Sequence, residues 1–219
     1  QLAQFSLTLT DTVLIGRLGG DALAAVGLGS TLYIVVYLLC MGILAAVPPL
    51  AAQAHGARNT RLMRRTIRQG LWVATLLGLL SILALWPAEK IFLLLGQSPD
   101  IAIVSQEYVR AAVWGILPGL CVIAMRGFIA VMERPSFILA VTCTGFLVNG
   151  LADYALIFGV WGFPKLGVMG VGIATTVTNL VMCAAIMLIA SKANRLRRYR
   201  VLGRFWRPDW SVFRDIFRV

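Results

Sequence analysis

The chain has 219 residues, 59% of them hydrophobic and only 13% charged, with a formal net charge of +11. A soluble domain is nearer a quarter charged, so this composition excludes a water-soluble globular protein and points to an integral membrane one. No repeated ten-residue apolar/polar alternation is present, which argues against a β-barrel.

Six Leu/Ala/Val/Ile-rich runs are long enough to cross a bilayer as helices, over about 1–16, 23–47, 69–95, 103–130, 136–161 and 166–190. The first is short because the sequence begins inside it. With no initiator Met, charged leader or cleavage site, it does not read as a signal peptide. The second ends at Pro48-Pro49. The fourth contains Pro118, which lacks an amide donor and predicts a kink. The sixth opens on GVMGVG; no strand precedes it, so its glycines predict close helix packing rather than a phosphate loop. Beyond it, Trp206, Trp210, Phe213 and Phe217 alternate with Arg204, Arg207, Arg214 and Arg218, the pattern of a basic amphipathic helix on the inner leaflet. The expected organisation is a six-helix lobe over 1–191, its first helix cut short. A basic cytoplasmic linker over 192–219 then leads to a second lobe, so the chain reads as a fragment of something longer.

The positive charge raises nucleic acid as a partner, and its placement argues against one. The connections after the second and fourth segments carry Arg58, Arg61, Arg64, Arg65, Arg68 and Arg134, and the tail carries nine more cations from Lys192 to Arg218. The alternate connections carry only Arg17, Lys90 and Lys165. This bias is the positive-inside rule, and it predicts that the connections 2–3 and 4–5 and the tail are cytoplasmic.

Two acids stand inside otherwise uncharged segments: Asp11 in the first and Asp153 in the fifth. An Asp near the bilayer centre costs about 2.5–3.5 kcal/mol, so each marks a functional site. Counting along the segments places Asp11, Asp153, Thr175 and Thr176 about 8–15 Å below the outer surface. Asn149 and Asp153 are four apart and share a helix face, as do Thr175 and Asn179; Gln4, Thr8 and Asp11 recur at four and three. If these faces converge they form an oxygen-rich pocket. Carboxylate, amide and hydroxyl oxygens suit Na⁺, and two carboxylates held close can also carry a proton. No nucleophile–base pair is visible, so no enzyme activity and no organic cofactor are expected. Cys40, Cys121, Cys143 and Cys183 lie within the segments without CxxC spacing and read as small packing residues. The lone His55 receives no role.

Four stretches carry a family resemblance: TDTVLIGRLGGDALAAVGLG, PPLAAQAHGARN with Gln53 and Gly56-Ala57, VMERPSFILAV, and NGLADYALIFGVWGFPKLGVMGVGIATTVTN. Spread in order over nearly the whole chain, they resemble the N-terminal half of the multidrug and toxic compound extrusion (MATE) transporters. The resemblance implies an all-α membrane protein of twelve helices in two six-helix lobes, in the bacterial inner membrane. It implies export of cationic amphipathic drugs in exchange for Na⁺ or H⁺ by alternating access. Asp11 matches the family's acid on the first helix, and Asn149 and Asp153 match the pair on the fifth. Thr175 is the best match for a hydroxyl on the sixth, with Thr176 and Thr178 close rivals. Together Asp11, Asn149, Asp153 and Thr175 would bind the coupling ion, Na⁺ included. Some branches of the family carry Asn in place of the second acid, so Asp153 places this chain nearer the branch whose N-terminal lobe couples ions. The partners implied are cationic drugs, membrane lipid and the second lobe. The alternatives are a lipid or lipid-linked oligosaccharide flippase, toward which Arg126 in the fourth segment points, and a non-transporting membrane scaffold.

Overall fold

A computed structural model describes residues 15–16, 19–132 and 135–192. Asp11 and the basic tail beyond Lys192 lie outside the described residues. The described chain is helical, with no strand, and five of its helical stretches are long and apolar enough to cross a membrane.

The first stretch joins α1 (Gly20–Leu44) to α2 (Val47–Gly56) with a break at Ala45–Ala46. Pro48 and Pro49 lack amide hydrogens, so an unbroken helix would leave the carbonyls four residues earlier without donors. Restarting at Val47 puts both prolines in a first turn, where amides have no helical partner anyway.

α3 (Thr60–Leu85) starts nine residues before the predicted start at 69 and stops ten before the predicted end at 95. Its start is set by Asn59, whose side-chain oxygen accepts from the Leu62 amide at 3.0 Å. Arg61, Arg64, Arg65 and Arg68 therefore ride on its first turns rather than in a loop. Hydropathy hid these turns because their arginines are charged, although arginine favours the helix. Pro87 stops α3, since it has no amide hydrogen to continue the helical ladder; Trp86 before it is still helical. The short α4 (Ala88–Leu94) follows. Glu89 clips it to the next helix: its amide donates to Gln106 Oε1 at 3.1 Å, and its carboxylate accepts from Gln106 Nε2 at 2.9 Å.

The third stretch runs from α5 (Pro99–Ala112) through a 3₁₀ turn at Val113–Gly115 into α6 (Ile116–Val131). The expected irregularity around Pro118 is this turn, just ahead of the proline. Thr176 Oγ1 donates to the carbonyls of Ala111 and Ala112, where α5 passes into this turn, at 2.7 and 3.3 Å. α7 (Pro135–Phe158) and α8 (Val168–Lys192) complete the bundle as a hairpin. Its connection passes through left-handed φ at Gly159 and Gly162, and at Trp161.

The α5–α6 stretch is the most buried of the five. α1 and α3 pack on one side of it and α8 on the other, and α7 packs mainly against α8. Between membrane helices, close van der Waals fit rather than water exclusion supplies the association. Glycine permits that fit at two crossings. A Cβ on Gly172 of α8 would stand 2.5 Å from the Tyr108 carbonyl oxygen of α5. One on Gly78 of α3 would stand 2.8 Å from Leu117 Cα of α6. The outer surface is apolar, with Leu38, Leu39, Leu83, Leu139 and Leu188 all facing outward, as a lipid-embedded bundle requires. All four cysteines are free, and Cys143 is exposed rather than packed inside.

Candidate ion and substrate cavity

A cavity of about 460 Å³ lies between α1, α5–α6 and the α7–α8 hairpin. Small-ligand pockets run from about 300 to 1,000 Å³, so it is of drug size. Its walls are mostly apolar: Leu23, Val26 and Ile34 from α1, Val122 and Ile123 from α6, Phe146 from α7, and Val171 and Met182 from α8.

Polar groups enter at helical spacing. On α7, Thr142, Gly145, Asn149 and Asp153 recur at three and four residues and so share one face. The first three line the cavity. Asp153, fully buried, stands one turn beyond Asn149 toward the Phe158 end. On α8, Thr175, Thr178, Asn179 and Met182 line the opposite wall by the same periodicity. The structure thus brings Asn149 and Thr175 to one cavity and sets Asp153 behind them, while Asp11 is outside the described residues. Of the three threonines weighed, Thr176 is turned to the α5 carbonyls. Thr175 Oγ1 donates to the Val171 carbonyl at 3.0 Å, which leaves its lone pairs to the cavity. Thr178 is buried, and its hydroxyl has no hydrogen-bond partner among the described residues.

Asn149 Oδ1 is likewise buried with no hydrogen-bond partner among the described residues. A buried amide oxygen without a donor costs about 1–3 kcal/mol. The Asn149 amide oxygen and the Thr178 and Thr175 hydroxyls, with the Asp153 carboxylate one turn along α7, are the donor types suited to a hard cation, or to a carboxyl group that takes up and releases a proton. No cluster of three His, Cys, Asp or Glu that could bind a transition metal occurs among the described residues.

Two features of this wall, both supplied by tyrosines, escaped the sequence reading, whereas Arg126 was singled out there. Tyr33 and Tyr37 of α1 stack at 6.0 Å with rings 11° apart, and both line the cavity. Their spacing of four was the available signal. Tyr108 reaches it from α5. Arg126 of α6 also lines it, and its Nη2 donates to Thr142 Oγ1 of α7 at 2.7 Å.

The sequence profile of the MatE family matches residues 1–155. The chain belongs to the MatE family. It is 41% identical over its whole length to a probable multidrug resistance protein NorM of Brucella suis. It is 42% identical to the protein of that name from Bradyrhizobium diazoefficiens. In each case this MatE chain spans 47% of the relative, so it covers about half the length of the curated proteins it matches. Among solved structures, an inward-facing MATE family multidrug resistance transporter superposes with TM-score 0.85 at 21% identity, over 97% of this chain and 48% of that one. A eukaryotic MATE transporter, AtDTX14, gives 0.87 at 16% identity, over 99% and 47%. At these identities the superpositions establish the fold: one helical membrane lobe of the MATE architecture.

Proposed function

We propose that this MatE chain is the N-terminal lobe of a bacterial multidrug efflux antiporter. It exports cationic amphipathic compounds in exchange for Na⁺ or H⁺ by alternating access with a second lobe. The observation that carries the reading is the pairing, on one face of α7, of buried Asp153 with buried Asn149 beside a drug-sized and mainly apolar cavity. An intramembrane acid beside a substrate cavity supplies what coupled exchange requires: two ligands whose binding favours different states of one lobe. Asp11, Asn149, Asp153 and Thr175 would hold the ion, with Thr178 as a further oxygen. Neutralising the acids by Na⁺ or a proton then favours release of the cationic drug. The names of the NorM relatives support multidrug export.

By the positive-inside rule the Arg58 connection faces the cytoplasm, which puts Asp153 in the outer half of the membrane. The ion would then enter from outside, down its gradient.

The test uses the full-length protein in proteoliposomes, with Na⁺ and pH gradients imposed separately. Asp153→Asn is expected to abolish gradient-driven drug export while the protein still inserts and is recovered at wild-type levels. Undiminished export by that variant would overturn the coupling role. Export with neither gradient active would overturn antiport.

A further inference from the structure

Arg126 is unexplained by the coupling site. It is the charged member of the cavity lining among the described residues, in an otherwise uncharged wall. An arginine inside a membrane bundle is costly and is retained where it pairs or binds. Here one guanidinium nitrogen donates to Thr142 at 2.7 Å, and Thr142 is oriented for this by donating its own hydroxyl hydrogen to the Ile138 carbonyl at 2.8 Å. Arg126 Nε is buried with no hydrogen-bond partner, and no ion pair to Arg126 occurs among the described residues. A guanidinium has five donors in a planar fork that matches a carboxylate. Along α7, Asn149 is roughly 10 Å and Asp153 roughly 16 Å from the Thr142 level, at 1.5 Å per residue. The stacked Tyr33–Tyr37 pair supplies a flat wall of the same cavity.

We propose that Arg126, positioned by Thr142, is an anion subsite that selects amphipathic substrates bearing a carboxylate. A zwitterion would lie along the cavity with its carboxylate on Arg126 and its cationic end toward Asn149 and Asp153. This rests on the efflux reading and extends its substrate class from cations alone to zwitterions as well. The volume of about 460 Å³ favours a drug-sized molecule over a two-chain lipid.

The test compares two dyes with one aromatic body, rhodamine 110 with a free carboxylate and rhodamine 123, its methyl ester. Affinity for purified full-length protein is read by fluorescence anisotropy, and efflux is read in proteoliposomes. Arg126→Gln, which can still reach Thr142, is expected to weaken rhodamine 110 about 10- to 100-fold and rhodamine 123 by less than about threefold. Arg126→Lys keeps the charge without the fork and is expected to fall between. If the Gln variant fails to insert, selective loss of the acid dye in the Lys variant decides for the proposal. Equal losses for both dyes would mean that Arg126 only clamps α6 to α7, and would overturn it. So would no change at any Arg126 variant, absence of binding included. Loss of phosphatidylglycerol translocation with both dyes unaffected would assign the guanidinium to a lipid headgroup and also overturn it. Dyes that bind with the expected selectivity but move under neither gradient would overturn the efflux reading and leave the subsite standing.

Discussion

Thr175 and Thr176 are neighbours with opposite work. Thr176 Oγ1 donates to two carbonyls at the 3₁₀ turn of the α5–α6 stretch, and Thr175 faces the cavity with its hydrogen turned back to Val171. Thr176→Val keeps the shape and removes the donor. It should cost about 0.6–2 kcal/mol, the range measured for hydrogen bonds between membrane helices. In thermal unfolding of the full-length protein in detergent, Thr176→Val is expected to lower Tm by a few degrees. Thr175→Val should leave Tm nearly unchanged, because it loses only a bond within its own helix. Gradient-driven transport is expected to reverse the order, falling more with Thr175→Val. Equal thermal effects from the two substitutions would contradict this division.

At the scale of elements, the bundle depends on crossings where only glycine fits. Gly172 lets α8 reach the α5 backbone, where a methyl group would meet the Tyr108 carbonyl oxygen at 2.5 Å and the Ala111 side chain at 2.6 Å. Neither neighbour can yield without moving a helix. Gly172→Ala should therefore cost about 1–3 kcal/mol by overpacking. Gly145→Ala on α7 also collides on paper, but with the sulfur end of the flexible Met182 side chain. Methionine can turn away, so this second substitution should be much milder. Melting temperatures of the two variants, measured side by side, test the contrast, and a Gly145→Ala protein as destabilised as Gly172→Ala would refute it. The cavity is affected too, since Met182 lines it and would turn into it.

For the whole molecule the open quantity is orientation. Trp86 and Trp114 pack edge to face at 6.3 Å, with Arg110 5.5 Å over the Trp86 ring, and Trp161 is exposed on the α7–α8 connection. Tryptophans of this kind gather at membrane–water boundaries. The opposite end of the bundle carries Arg58 and the arginine-rich first turns of α3. The positive-inside rule assigns the arginine end to the cytoplasm. In a cysteine-free background of the full-length protein, Phe163→Cys should react with a membrane-impermeant maleimide in intact cells. Arg58→Cys should react only after permeabilisation. The reverse pattern would invert the topology and with it the proposed entry side of the ion.

The sequence by itself determined the class of this protein and the number of the described spans, though not all of their bounds. It also placed Asn149 with Asp153, and Thr175 with Asn179, on shared faces. These properties are local: apolar length against bilayer thickness, and a period of 3.6 residues within one helix. Only the tertiary structure decided which faces meet. Nothing in the composition of α6 says that Arg126 reaches Thr142, that Thr176 rather than Thr175 caps the 3₁₀ turn, or that Tyr33 and Tyr37 form a wall. Those outcomes depend on how each helix is rotated against its neighbours. That rotation is set by contacts far apart in the chain, such as Gly172 against Tyr108, and no local pattern encodes it. The early start of α3 was missed for a related reason. A capped, arginine-rich turn is helical by propensity and invisible to hydropathy.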